Sequence, residues 1–241
     1  GELYFDLMRF VHWTMIPTQI TCFYPKMERI YFEKAKEFAM ILQKFYTAES
    51  SVNYTAAYLS KLCTENVVNN LHFIKDSNYM PELAGILPKN VPAIIVAAGP
   101  SLDKNIDQLK KAEGKSFIIA TDTAVKFLIA HDINYDAIIT IDPRKSLKHL
   151  KDERCFKYPI FTLLDARNGI LEMNVGRKIW INGAGFMSVL YSKYGLGFEG
   201  YISGGSVATA AFNVVKSMGA KRIVLVGQDL AFSGDTTHAG G

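Results

Sequence analysis

The chain has 241 residues, of which 49% are apolar and 21% are charged, as is ordinary for a globular protein of one full domain plus a smaller one. Its net charge of +4 arises after residue 91, where eighteen basic side chains accompany fourteen acidic ones. This excess is too small to indicate a nucleic-acid partner. No apolar run reaches the roughly 18 residues of a membrane span. Three scattered cysteines (Cys22, Cys63 and Cys155) favour a reducing compartment, so we expect a cytoplasmic protein without disulfides.

The first 90 residues read as a mainly helical region. Apolar side chains recur at spacings of three and four over residues 27–45, which predicts one helix face, and residues 53–74 give a second, less regular helical stretch. A segment rich in proline and glycine then runs to Pro92. We therefore expect two parts, an N-terminal region over residues 1–90 and a second domain over residues 91–241.

The second part alternates between short apolar runs and helical patterns. Sixteen of the eighteen glycines lie here. The predicted strands are residues 93–97, 117–120, 137–141, 160–164, 178–181 and 223–226, and the predicted helices are residues 102–112, 124–130 and 207–218. Such alternation implies parallel pairing through right-handed crossovers. The predicted fold is α/β, a doubly wound, mainly parallel Rossmann-like sheet with an N-terminal helical extension.

Two glycine-containing turns precede predicted helices in this domain. Ligands of doubly wound sheets bind beyond the carboxyl ends of the strands, and free amides at a helix start can hold a phosphate. The first turn is Gly99, Pro100, Ser101 and Leu102, and the second is Ser203, Gly204, Gly205 and Ser206. Each is a candidate nucleotide contact, and each can equally be a plain helix cap or tight turn. Neither is a dinucleotide fingerprint or a P-loop, because the required glycines and lysine are missing.

Acidic and hydroxyl side chains follow several of the strands. Carboxylates there can accept ribose hydroxyls or bind a divalent cation, or can cap the next helix. The candidates are Thr121, Asp122 and Thr123 after one strand, Asp142 before Pro143, and Gln228 and Asp229 after the last strand. His238 is the candidate general base, with a mobile surface histidine as the alternative, and Asp142 is the second candidate catalytic residue.

A basic run follows Asp142, from Arg144 to Lys157. Such a run can attract an anionic sugar or phosphate. It is more typical of a solvated helix face, since Asp152 and Glu153 interrupt it.

In order, these segments resemble the motility-associated-factor glycosyltransferases, which modify flagellin and share a domain with archaeal 6-hydroxymethylpterin diphosphokinases. The resemblance covers about residues 90–241 and the asparagine-containing helix at residues 66–70. The matching segments are residues 92–103, 121–123, 140–143, 204–207 and 227–230. A more distant similarity links the same turns to family 42 sialyltransferases, although Ala98 stands where those enzymes have asparagine and His238 follows a short link.

The resemblance implies transfer of an acidic nine-carbon sugar, of the sialic, pseudaminic or legionaminic type, from a CMP donor to a serine or threonine hydroxyl, with flagellin as the expected acceptor. It implies nucleotide contacts at residues 99–102 and 204–206, a base at His238, and no obligatory metal or other cofactor. We expect no metal ligands, no membrane span and no nucleic-acid partner. The sequence leaves the oligomeric state open.

Two rival readings stay open. The first is Mg²⁺-dependent diphosphate transfer from ATP to a hydroxymethylpterin, with Asp142 and Asp229 as metal ligands. The second is a non-catalytic nucleotide-binding module or a fragment, because a doubly wound domain usually continues beyond a strand such as residues 223–226.

Overall fold

The computed structural model describes Lys26 and residues 30–147, 153–181 and 206–229, with the backbone alone for residues 45–57. The chain divides into two compact units, residues 1–61 and 62–241. Across the described residues, no helix is both long and apolar enough to cross a membrane.

One long helix, α1, runs over Phe32–Asn70. The sequence predicted two helical stretches here. They are continuous because no glycine or proline occurs between those two residues, so nothing interrupts the backbone hydrogen bonding. A 3₁₀ turn, Leu71–Asp76, follows directly.

The sheet domain then alternates as predicted. Its strands are β1 Asn78–Tyr79, β2 Ala93–Val96, β3 Phe117–Thr121, β4 Ala137–Thr140, β5 Ile160–Thr162, β6 Lys178–Trp180 and β7 Ile223–Val226. Its helices are α2 Ile106–Ala112, α3 Asp122–Ala130, α4 Asn168–Met173 and α5 Val207–Ser217, with 3₁₀ turns at Met80–Leu83, Pro100–Asn105 and Glu153–Phe156. All six strand predictions are confirmed, while β1 and α4 are too short to have given a pattern.

The described strands form one seven-stranded sheet in the order β1-β6-β5-β4-β3-β2-β7, and every pairing is parallel. The predicted doubly wound α/β fold is confirmed. Because β1 pairs with β6, the sheet draws on residues before position 90. The second compact unit therefore begins before residue 91 and includes the end of α1.

Two apolar layers cover the sheet. On one face, side chains of α2, α3 and α4 pack on alternate residues of the central strands, as Val125 and Leu128 do on Ile118. On the other face α5 buries Ala210, Val214 and their neighbours against Ile95 and Ile119. The central strands are buried throughout, so their continuous apolar runs reflect two covered faces.

Candidate active site

The strand order reverses between β2 and β7, which places a crevice at their carboxyl ends. There the loops that follow the two strands bond to each other. The amide of Ala97 donates to the Val226 carbonyl at 2.8 Å and that of Gly99 to the Gly227 carbonyl at 2.7 Å. The Ser101 amide donates to Oδ2 of Asp229 at 2.7 Å. The crevice is therefore closed at its base by a ladder that continues beyond the strands.

Two glycines make this close approach possible. A Cβ on Gly99 would lie 2.3 Å from Oδ2 of Asp229 and 2.5 Å from the Gly227 carbonyl oxygen. Gly227 has a φ of +67°, and its Cβ would lie 2.1 Å from the Ala97 carbonyl oxygen. Gly99 is thus required for space, whereas Gly227 is required for both space and backbone angle.

The amides predicted to hold a phosphate at residues 99–102 already have partners. Those of Gly99 and Ser101 bond across to the β7 loop, the Leu102 amide donates to the Gly99 carbonyl at 2.9 Å, and Pro100 has no N–H. An anion at this turn would have to displace the Asp229 carboxylate from Ser101. The predicted contacts at these residues remain predictions.

An open cavity of about 500 Å³ adjoins the ladder beside β7. It is lined by Ser101, Asn105 and Gln108 on one side and by Val224 and Gln228 on the other. The exposed Gln228 therefore faces a space that can hold a ligand, next to the turn that carries Ser101.

A second polar cluster lies where β3 and β4 end. The Asp122 carboxylate is buried, with 3% of the side chain exposed, and accepts from the Thr140 hydroxyl at 2.6 Å and the Thr123 hydroxyl at 3.0 Å. Lys145 Nζ donates to Oδ1 of Asp122 at 2.7 Å and to the Thr123 hydroxyl at 2.6 Å. The N-cap position of α3 is Thr121 and Asp122 is the first residue of the helix, so Asp122 is not its N-cap residue.

Lys145 was not singled out from the sequence, where the basic run was interpreted as a solvated helix face or as attracting an anionic sugar or phosphate. The structure instead places this lysine, 18% exposed, against a buried carboxylate. Two of its three N–H donors are occupied by Asp122 and Thr123. The signal available in the sequence was its position three residues beyond Asp142, in the same strand-end loop.

The loops after β4 and β5 are joined. Oδ1 of Asp142 accepts from the Arg144 amide at 2.8 Å, and the Asp142 carbonyl accepts from the Arg167 amide at 3.2 Å. In the second loop, burial raises the pKa of Asp165 while the Cys63 thiol, which donates to its carboxylate, opposes the rise. Burial and the neighbouring Asp165 raise the pKa of Cys63 to about 11. Sequence reasoning left Asp165 out of the site.

Ser206 caps α5, since its Oγ accepts from the Thr209 amide at 3.1 Å. For Ser206, this bond is the helix cap that the sequence analysis gave as the alternative to a nucleotide contact. Ser203, Gly204, Gly205 and His238 lie outside the described residues, so their predicted roles remain predictions.

The sheet order fixes the spacing of the candidate groups. Asp142 follows β4 and Asp229 follows β7, and three strand intervals separate these strands. At about 4.8 Å per interval, the two backbones lie roughly 14 Å apart. The two carboxylates therefore follow strands that lie apart along the edge, and the sheet order does not favour one small cation shared between them. Among the described residues, no three histidine, cysteine or acidic side chains converge as metal ligands.

A doubly wound parallel sheet with polar side chains along its carboxyl edge and a crevice at its switch point defines a Rossmann-like α/β domain. A family model described as 6-hydroxymethylpterin diphosphokinase MptE-like matches residues 65–235. The chain belongs to this MptE-like family.

Two further comparisons locate the chain among known proteins. It is similar in structure to the MAf glycosyltransferase from Magnetospirillum magneticum AMB-1, with a TM-score of 0.54 and 20% sequence identity over 80% of this chain and 33% of that one. This likeness shows a shared fold. The chain is 30% identical over 122 residues to an uncharacterized protein of Treponema pallidum (strain Nichols), covering 51% of this chain and 53% of that protein. It thus spans about half the length of the curated relative that it matches.

Proposed function

We propose that the chain is the donor-binding domain of a glycosyltransferase that moves an acidic nine-carbon sugar from a CMP donor to a serine or threonine hydroxyl, with flagellin as the candidate acceptor. The observation that carries the proposal is the fold shared with the MAf glycosyltransferase over 80% of this chain. The polar clusters of the chain lie along the sheet edge where such a fold binds its ligand.

The chemistry is displacement at the anomeric carbon with inversion. The acceptor oxygen forms the new bond while CMP departs with the electrons of the old one, and a base takes the hydroxyl proton. His238 is the candidate base and Asp142 the candidate second catalytic group. CMP and the sugar carboxylate are both anionic. Lys145 Nζ is held by Asp122 and Thr123, and its third N–H supports the proposal as a donor to one of these anions.

The rival is ATP-dependent diphosphate transfer to a hydroxymethylpterin, which the description of the family favours. That reaction needs Mg²⁺ between the nucleotide phosphates and protein carboxylates. Asp142 and Asp229 follow strands that are three intervals apart, so the sheet order favours separate sites for their carboxylates over one shared Mg²⁺. The diphosphate-transfer reaction is therefore supported by the description of the family and less by the geometry of the sheet edge.

The test is a calorimetric titration of the protein with CMP and with ATP, each with and without Mg²⁺. We expect metal-independent CMP binding that weakens about tenfold in Lys145→Met, because the Asp122 carboxylate then lacks its counter-charge and repels the anion. The matched control is Lys126→Met, which removes an exposed lysine of α3 and should leave CMP affinity unchanged.

Strong Mg²⁺-dependent ATP binding without CMP binding would refute the transferase and support the diphosphokinase. If neither CMP nor ATP binds, the alternative of a non-catalytic module or a fragment is favoured.

A further inference from the structure

The last turns of α1 direct three side chains at the loops of the sheet edge. Cys63, Asn66 and Asn70 are separated by three and four residues and so lie on one helix face. Both asparagines are buried, with 4% and 0% exposed. An amide side chain is costly to bury unless its hydrogen bonds are formed, so these two positions need polar partners.

Asn66 bridges the two loops. Its Nδ2 donates to the Pro143 carbonyl at 3.1 Å, in the loop after β4, and to the Asp165 carbonyl at 3.0 Å, in the loop after β5. Both N–H donors of one primary amide are therefore used, one for each loop. No apolar side chain of similar size could make this connection.

Asn70 secures the second loop on both sides of Asp165. Its Nδ2 donates to the Leu164 carbonyl at 2.8 Å and to the Ala166 carbonyl at 2.9 Å, while its Oδ1 accepts from Nδ2 of Asn168 at 3.0 Å. The carbonyls of three consecutive residues, 164–166, are thus bound to the asparagines of one helix face. Because these carbonyls lie beyond the strand, no ladder bond holds them in place.

We propose that Asn66 and Asn70 are positioning residues of the active site, which set the loops after β4 and β5 and through them the carboxylate of Asp142. This inference rests on the proposed function for its catalytic consequence. The physical link is short. Asn66 bonds to the carbonyl of Pro143, next to Asp142 in sequence, and the Arg167 amide bonds to the carbonyl of Asp142 itself.

The expected consequence is a separation of binding from turnover. CMP affinity should change less than threefold in Asn66→Ala, because Asp122 and Thr123 of α3 still hold the Lys145 ammonium group and the cavity beside β7 lies three strand intervals from β4. Turnover should fall about 30- to 100-fold, since a displacement of about 1 Å at a reacting group costs that much. Asn66→Asp keeps the size but places a carboxylate against two carbonyls, so it should be at least as impaired as Asn66→Ala.

The experiment begins with amide hydrogen exchange in the full chain without ligand. Asn66→Ala and Asn70→Ala should each speed exchange at least tenfold in a peptide covering residues 163–170, and Asn66→Ala also in residues 141–147. Peptides of β3 should not change. The matched control is Asn69→Ala, which removes an exposed asparagine from the same helical turn and should change neither region. CMP affinity and sugar transfer are then measured on the same variants.

The outcomes separate this inference from the proposed function. Unchanged exchange at residues 163–170, or faster exchange throughout the chain, overturns it whatever the protein binds. Faster exchange confined to these loops, together with a turnover in Asn66→Ala equal to that of the parent protein, also overturns it. If the parent protein turns over ATP and a hydroxymethylpterin instead of a CMP-sugar, the proposed function fails, and the same split between nucleotide affinity and turnover is then required of Asn66→Ala with those substrates.

Discussion

Asp122 and Lys145 form a pair in which each side chain depends on the other. The carboxylate is almost wholly buried, and two hydroxyls and one ammonium group satisfy it. Removing one partner of such a pair leaves a desolvated charge, which costs more than the pair itself contributes. This asymmetry makes the pair testable by stability as well as by binding.

We expect Lys145→Met to lower the free energy of unfolding by about 3 kcal/mol, because the Asp122 carboxylate then lacks its counter-charge. The measurement is urea unfolding at pH 7. The double variant Asp122→Asn with Lys145→Met should recover part of the loss, and Lys126→Met should stay within about 0.5 kcal/mol of the parent. Equal losses in the two lysine variants would contradict the assignment.

Gly227 combines a left-handed backbone angle with a close contact, and Gly114 offers a matched comparison. Gly114 has a φ of +68° but no atom within 4 Å of its virtual Cβ. Gly114→Ala should therefore cost about 1 kcal/mol from the backbone angle alone. Gly227→Ala should cost at least about 2 kcal/mol more, because its Cβ must displace the Ala97 carbonyl. Thermal unfolding of the two variants checks this. Similar losses of unfolding free energy would contradict the prediction and show that the loop after β2 can move to make room for the Cβ.

Asp165 gives the protein a pH dependence of known sign. Burial raises its pKa above the ordinary value near 3.8, so the folded protein keeps this proton to higher pH than the unfolded chain. Stability should therefore fall as pH rises above about 3.8 and through the raised pKa. Asp165→Asn, which has no charge, should be more stable than the parent at pH 7.5, and this advantage should shrink toward pH 4. Urea unfolding at the two pH values tests this, with the exposed Asp76→Asn as control.

At the scale of elements, the residues before α5 fit two different roles, a helix cap and an anion-binding turn. A serine before a helix is a normal cap, and adjacent glycines before it are typical of an anion site. The structure shows the cap through the Thr209 amide. The start and end of α5 were both readable from the sequence, because Gly219, with a φ of +97°, lies just past the end of the helix.

Ser206→Ala should lower the free energy of unfolding by about 1 kcal/mol, since the Thr209 amide loses its acceptor. Ser206→Gly should lose only a few tenths, because a glycine leaves that amide open to water. Chemical denaturation of both variants decides the point. Unaltered stability in Ser206→Ala, together with weaker CMP binding, would show that this hydroxyl serves the ligand and not the helix.

For the whole molecule, the sequence predicted the sheet well because buried parallel strands are continuous apolar runs bounded by glycine or polar residues. It could not predict β1, which has two residues, nor the strand order, which depends on contacts between distant segments. It predicted that Asp122 and Asp142 follow strands, which the structure shows. It did not predict the contacts of Lys145 and Asp165, since burial and charge pairing appear only in three dimensions.

The order of the strands also decides when the crevice forms during folding. Ala93 pairs with Phe117 on one side and with Ile223 on the other. The first pairing closes a short loop, whereas the second must wait for nearly the whole domain to be synthesised and ordered. In pulse-labelled refolding, the amides of Ala97 and Gly99, which bond to the β7 loop, should therefore gain protection after that of Asp136, which bonds to Ile118. Simultaneous protection would contradict this order. A nascent chain would thus hold a nearly complete sheet before the crevice between β2 and β7 exists.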